Sequence, residues 1–255
     1  MSKRRKFIGS SLLLSLGLLA IQYIALEYRF IAVFAFMVVS YLISSLALLD
    51  DLKGVEWMTI VPIPTMYAGS VALFYFLLPS SFGARVFILT LFGLGMYAIY
   101  LTANIFSVAA VRTIQLLRAA HAVGFLLTLI TLLLFFNSIF SLKLFFWGNG
   151  ILSGLATFPL VLSALWSMKL TNRIDRSIWW KAGLLSLAVV QLGVALSFIP
   201  LTVWVASMIL VTAVYVGLGL FQHELSDRLF EQSLVEYTTL GAFVLLASLL
   251  VTRWK

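Results

Sequence analysis

His121 and His223 are the two histidines of this 255-residue chain, and the stretch HELSDRLFE (223–231) places Glu224, Asp227 and Glu231 directly behind the second one. Imidazoles and carboxylates in combination hold divalent metals or exchange protons as general acids and bases. On one helix, at 100° per residue, these three carboxylates fall within a sector of about 60° and so share a face. His121, His223, Glu224, Asp227 and Glu231 are therefore the catalytic candidates. The pattern stops short of a metal motif: HELSD lacks the second histidine of H-E-x-x-H, and His121 stands on a different segment. Hydrated helix ends at a water interface explain the same residues, so the sequence calls for no metal and no cofactor.

A second chemistry is phosphate recognition. The stretch NIFSVAAVRTIQLLRAAHAVGF (104–125) gathers Asn104, Arg112, Gln115, Arg118 and His121 in a chain with 10% charged residues. Guanidinium groups bind phosphate in a bidentate fork. Arg112 and Arg118, with Arg173, Arg176 and Lys181, are the candidates for contact with anionic lipid headgroups or phosphate. Basic turns whose long side chains snorkel to the membrane surface need no more specific role. Asn104 lies eight residues, or about 12 Å of helix, from Arg112, and Gln191 lies ten residues beyond Lys181. Both amides are expected within the membrane, each hydrogen-bonded to a neighbouring helix.

The elements that carry these residues are dictated by composition. Hydrophobic residues make up 63% of the chain, more than the core of a soluble domain of this size can bury. Lipid is the expected solvent. Without cysteine, disulfides and thiolate metal sites are excluded. The net charge of +8 fits basic loops against anionic headgroups and gives no reason to invoke nucleic acid.

With a rise of 1.5 Å per residue and a hydrocarbon core of roughly 30 Å, spans need runs near twenty residues. Such runs fall at 7–26, 30–49, 60–78, 86–111, 119–136, 144–166, 182–199, 201–221 and 237–252. MSKRRKF followed by a long apolar run resembles a signal peptide, but the run is too long and no cleavage site follows, so it reads as an uncleaved first span. From Ala182 to Gln222 there is no Asp, Glu, Lys, Arg or His, which requires a turn near Pro200 to make two spans of it. The expected fold is an all-α, polytopic transmembrane helix bundle of about nine spans, eight if the last does not cross. It forms one integral membrane domain over 1–255, with no soluble domain.

The N-terminus is expected in the cytoplasm. Arg29, Arg85, Lys143, Arg253 and Lys255 then lie outside, and the other twelve basic residues lie inside, as the positive-inside rule requires. Eight of nine acidic residues, all but Glu27, share that inner side. SMKLTNRIDRSIWWK (167–181) reads as an interfacial stretch with a tryptophan pair as anchor.

Small residues at four-residue spacing mark close helix approach in lipid. Gly150 and Gly154 form a G-x-x-x-G, and Ala120, Gly124 and Thr128 repeat the spacing. FGLGMYA (92–98) matches a dinucleotide fingerprint in letters alone, since no strand precedes it, and reads as another packing surface.

Three functions follow. The first is a non-enzymatic scaffold or accessory component of a bacterial-type plasma membrane, with a membrane protein or a second copy of this chain as partner. The second is a carrier of an uncharged or lipidic solute, with Pro159 as a break in span six. The third is a lipid-processing enzyme working at the cytoplasmic interface.

Overall fold

A computed structural model describes residues 3–50, 52, 54–78, 81–109, 115–227 and 230–251. Arg112 lies outside the described residues, as do Asp51, Lys53, Arg228, Arg253 and Lys255. The described chain is helical throughout, in ten α-helices and one short 3-10 turn: α1 (Lys3–Ile21), the turn Leu26–Tyr28, α2 (Arg29–Leu48), α3 (Glu56–Thr59), α4 (Pro62–Tyr75), α5 (Phe82–Ala109), α6 (Leu117–Ser141), α7 (Phe146–Lys169), α8 (Arg176–Leu196), α9 (Val203–Leu225) and α10 (Glu231–Val251). Among the described residues seven segments are long and apolar enough to cross a membrane: α2, α3 with α4, and α5 to α9. The first and last expected spans are also helices, α1 and α10, but fall outside that set. The one opens on Lys3-Arg4-Arg5-Lys6; the other carries Glu231 and Glu236 in its first two turns.

Helix ends depart from the hydropathy boundaries by about a turn, because backbone hydrogen bonding continues past the point where side chains become polar. Thus α8 begins at Arg176 and takes in Trp179, Trp180 and Lys181, six residues before the expected span. Helix α9 runs on through His223 and Glu224. The turn near Pro200 is present, and Thr202 caps α9 by accepting the Val205 N–H at 3.4 Å. Pro159 sits inside an unbroken α7, so the expected break is absent.

Residues 1–127 and 128–255 form two compact units, the boundary falling within α6. In the first unit α1, α2, α4 and α5 pack in a ring of neighbours. Tyr100 of α5 is fully buried, its ring stacked on Phe7 at 5.7 Å and its hydroxyl 3.0 Å from Ser44 Oγ. Tyr67 of α4 lies flat on Phe92 at 5.5 Å and donates to the Leu91 carbonyl at 3.2 Å. Gly95 leaves room for the Tyr67 ring, and Gly93 approaches Ser15, so the FGLGMYA stretch is a packing surface as its sequence implied.

In the second unit α7, α8 and α9 pack against one another, and α10 lies on α9. The closest seam joins α7 to α8. A Cβ on Gly150 would stand 2.6 Å from Val194 Cγ2 and 2.7 Å from the Val190 carbonyl. One on Gly154 would stand 3.1 Å from the Ser186 carbonyl. Backbones this close gain dispersion along their whole length, which is what holds helices together in lipid.

Candidate functional site

The second unit has a charged rim where α7 ends, α8 begins, α9 ends and α10 begins. Leu170 leaves α7 in the left-handed conformation (φ 50°), its N–H bonded to the Trp166 carbonyl at 2.9 Å. The buried Trp166 indole donates to the Thr171 carbonyl at 3.0 Å, and Thr171 Oγ1 donates to the Arg173 carbonyl at 2.6 Å. Lys169 and Asp175 close the loop with an ion pair of 2.9 Å. Together these contacts shape the loop that presents Arg173 and Arg176, both exposed. Beside them Trp179 and Trp180 are exposed at the start of α8.

Exposed aromatics also mark the opposite end of this unit, where Phe145, Trp147, Phe198 and Trp204 lie and Phe146 meets Phe198 at 5.1 Å. Trp204 and His223 stand about 29 Å apart along α9, and Trp147 and Lys169 about 33 Å apart along α7, at 1.5 Å per residue. Those lengths match a hydrocarbon layer of roughly 30 Å between two aromatic belts.

Within the rim the polar side chains link helix to helix. Lys181 Nζ lies 2.7 Å from Glu224 Oε1, tying α8 to α9, and sits 5.8 Å above the Phe221 ring. Gln222 Nε2 donates to the Ala164 carbonyl at 3.3 Å, tying α9 to α7. His223 Nδ1 is 3.0 Å from the Gly219 carbonyl; a carbonyl only accepts, so Nδ1 carries the proton. The His223 ring meets Tyr237 of α10 edge-on at 5.5 Å.

The shared helical face expected for Glu224, Asp227 and Glu231 does not form. Helix α9 ends at Leu225, Ser226 Oγ bonds back to the Gln222 carbonyl at 2.8 Å, and Asp227 turns left-handed with φ 53°. Aspartate tolerates that conformation better than most residues, so a chain break with no glycine or proline to announce it is physically reasonable. Glu231 begins the next helix. Among the described residues, no group of three or more histidine, aspartate and glutamate side chains is placed to hold a metal ion.

In the first unit His121 lies one turn into α6, its ring 5.3 Å from Phe106. Ala120 is buried, and a Cβ on Gly124 would make ordinary contacts of 3.4 Å with Phe106 and Thr102, so this small-residue face packs on α5. Arg118 is exposed. Phe7 and Ser44 both meet Tyr100, which sets the register of α1, α2 and α5. Asn104, one turn beyond Tyr100, is therefore level with the charged start of α1. Its Oδ1 is buried without a hydrogen-bond partner among the described residues, so the expected interhelical bond to that oxygen is absent.

Gln191 departs further from expectation. The buried face of α8 is Ile178, Ala182, Leu185, Ser186, Val189, Gly193 and Leu196. At 100° per residue, position 191 lies on the opposite side, and its side chain is exposed. The buried amides of the second unit are Asn137 and Asn149. Asn149 Nδ2 donates to Ser197 Oγ at 3.1 Å, while Asn149 Oδ1 and Ser153 Oγ, one turn apart on α7, are buried without hydrogen-bond partners among the described residues.

One ion pair was not anticipated: Lys6 Nζ to Asp50 Oδ2 at 3.0 Å, joining the start of α1 to the end of α2. Up-and-down spans bring these two positions to the same side, which is the signal that could have found it. The Lys6 hydrogen bond, then its charge, holds the Asp50 carboxyl below its ordinary value of 3.8. Compared with known proteins, the chain matches no family model, no curated protein and no solved structure.

Proposed function

We propose that this chain is a non-enzymatic scaffold or accessory component of a bacterial-type plasma membrane, with nine spans and a cytoplasmic N-terminus. One observation carries the reading. Of the rim's candidates, Lys181, Glu224 and His223 are engaged in fastening helices, Lys181 to Glu224 and His223 to Tyr237, and beside them Gln222 ties α9 to the Ala164 carbonyl. A group that holds its helices together is not at the same time free to approach a substrate. Exposed Arg173 and Arg176 beside the tryptophan pair support contact of this end with anionic headgroups on the cytoplasmic side. The partner is a membrane protein or a second copy of this chain. The test is an alanine set at His121, His223 and Glu224 against a leucine set at Gly150 and Gly154, scored for the phenotype of a deletion strain. Loss of phenotype from the alanines, in protein that still folds, would overturn the scaffold in favour of an interfacial enzyme.

A second reading has its own support. Asn149 Oδ1 and Ser153 Oγ lie buried on one face of α7 with no hydrogen-bond partner among the described residues, and unpaired buried polar atoms are costly enough to suggest a polar guest. A carrier of an uncharged solute fits them. Solute flux into proteoliposomes that fell in Asn149→Leu and Ser153→Ala would favour it over the scaffold.

A further inference from the structure

The first unit carries an open apolar groove of about 650 Å³ between α1 and α5, with Ile8, Leu12 and Leu19 on one wall and Thr90, Gly93 and Tyr97 on the other. Leu16 and Leu94 at its edges are exposed. From Ile8 to Leu19 the groove extends about 16 Å along α1, roughly half of a 30 Å hydrocarbon layer. A partner's transmembrane helix would need a seat of the full thickness. An acyl chain occupies one leaflet only, and this groove has that length.

The groove also has a head. Positions 4 and 5 precede Ile8 by four and three residues and Leu12 by eight and seven, so Arg4 and Arg5 continue the groove-lining face of α1 at its N-terminal end. Both are exposed and make no ion pair among the described residues, while neighbouring Lys6 is held by Asp50. Two free guanidinium groups above a leaflet-deep apolar slot match the two halves of an acidic lipid.

We infer that the α1–α5 groove binds one anionic glycerophospholipid of the leaflet facing the N-terminus, with its phosphate at Arg4 and Arg5 and an acyl chain along Ile8 to Leu19. The inference rests on the reading that α1 lies in the membrane, and is independent of whether the protein is a scaffold or a carrier.

Native mass spectrometry of the detergent-solubilised full chain, titrated with phosphatidylglycerol or phosphatidylcholine, tests it. Phosphatidylglycerol should be retained roughly thirtyfold better, the scale of two near-surface arginines. The surface variant R4Q/R5Q should lose that preference, and Thr90→Trp, which fills the groove from an exposed position, should weaken retention of both lipids. R85Q, in the first turn of α5 and so at the far end of that helix from the Phe7–Tyr100 level, should leave the preference intact. Equal retention of the two lipids by the wild type, or an unchanged preference in R4Q/R5Q, would overturn the site. So would disulfide cross-linking of Leu12→Cys to Leu94→Cys between two copies, since the groove would then be filled by protein. A failed lipid site leaves the scaffold test untouched, because that test reads phenotype at other residues.

Discussion

Gly193 of α8 faces Gly150 of α7 so closely that a Cβ on Gly193 would stand 3.0 Å from the Gly150 Cα. Neither backbone can retreat without opening the contacts of Gly154 with Ser186 and Val190 further along the same seam. Gly150→Leu and Gly154→Leu should each cost about 1–3 kcal/mol or more, the range of overpacked cores. Gly183 of α8 has open space at its Cβ, and Gly183→Leu should be silent. Thermal stability of the purified variants in detergent decides: equal loss at all three positions would mean the seam is not special.

The Lys181–Glu224 pair is asymmetric, with the lysine side chain 16% exposed and the glutamate 50%. Glu224→Ala strands a mostly buried ammonium and should lower stability by about 1 kcal/mol, a modest figure because solvent screens the glutamate side. In K181M/E224L no buried charge is left unpaired, so stability should return toward that of the wild type. A double variant no better than Glu224→Ala would show that the two charges act independently.

Asp50 gives the N-terminal end a defined response to acid. Its carboxyl is held below 3.8 by Lys6, so the folded state binds this proton less readily than the unfolded state. The contribution is therefore fully present above that value and is lost as pH falls through the lower, folded-state value. In melting curves from pH 6 to pH 3, wild type should converge on Asp50→Asn only at the acid end. Convergence already at pH 6 would mean the ion pair contributes nothing.

Helix positions were legible because each apolar run approaches the thickness of a bilayer. Their ends were not, since Trp179, Trp180 and Lys181 are interfacial by chemistry yet helical by hydrogen bonding. Spacing alone exposed Gly150 and Gly154, while their neighbours Val190 and Val194 lie on another helix and emerge only on folding. Lys181 and Glu224 were each legible as rim residues, but a pairing across 43 positions leaves no local mark. The outward aim of Gln191 was hidden for another reason. A span that is apolar on every side, like α8, does not advertise which face meets its neighbours. The break at Asp227 was missed because the chain uses a left-handed aspartate where a glycine would have been an obvious signal.

The absence of cysteine makes the proposed topology directly measurable, because any single cysteine is labelled without background. Nine spans with an inner N-terminus put Arg173 and Asp227 on the cytoplasmic side and Phe198 on the other. A membrane-impermeant maleimide applied to sealed cells should therefore label Phe198→Cys and spare Arg173→Cys and Asp227→Cys until the cells are opened. Lys255→Cys tests α10: labelling from outside requires the last helix to cross, whereas protection places both of its ends inside. Asp227 and Lys255 flank α10, so comparing these two variants isolates that helix from every other span. Labelling of Arg173→Cys in sealed cells would invert the proposed topology and move the charged rim of the second unit to the outer face.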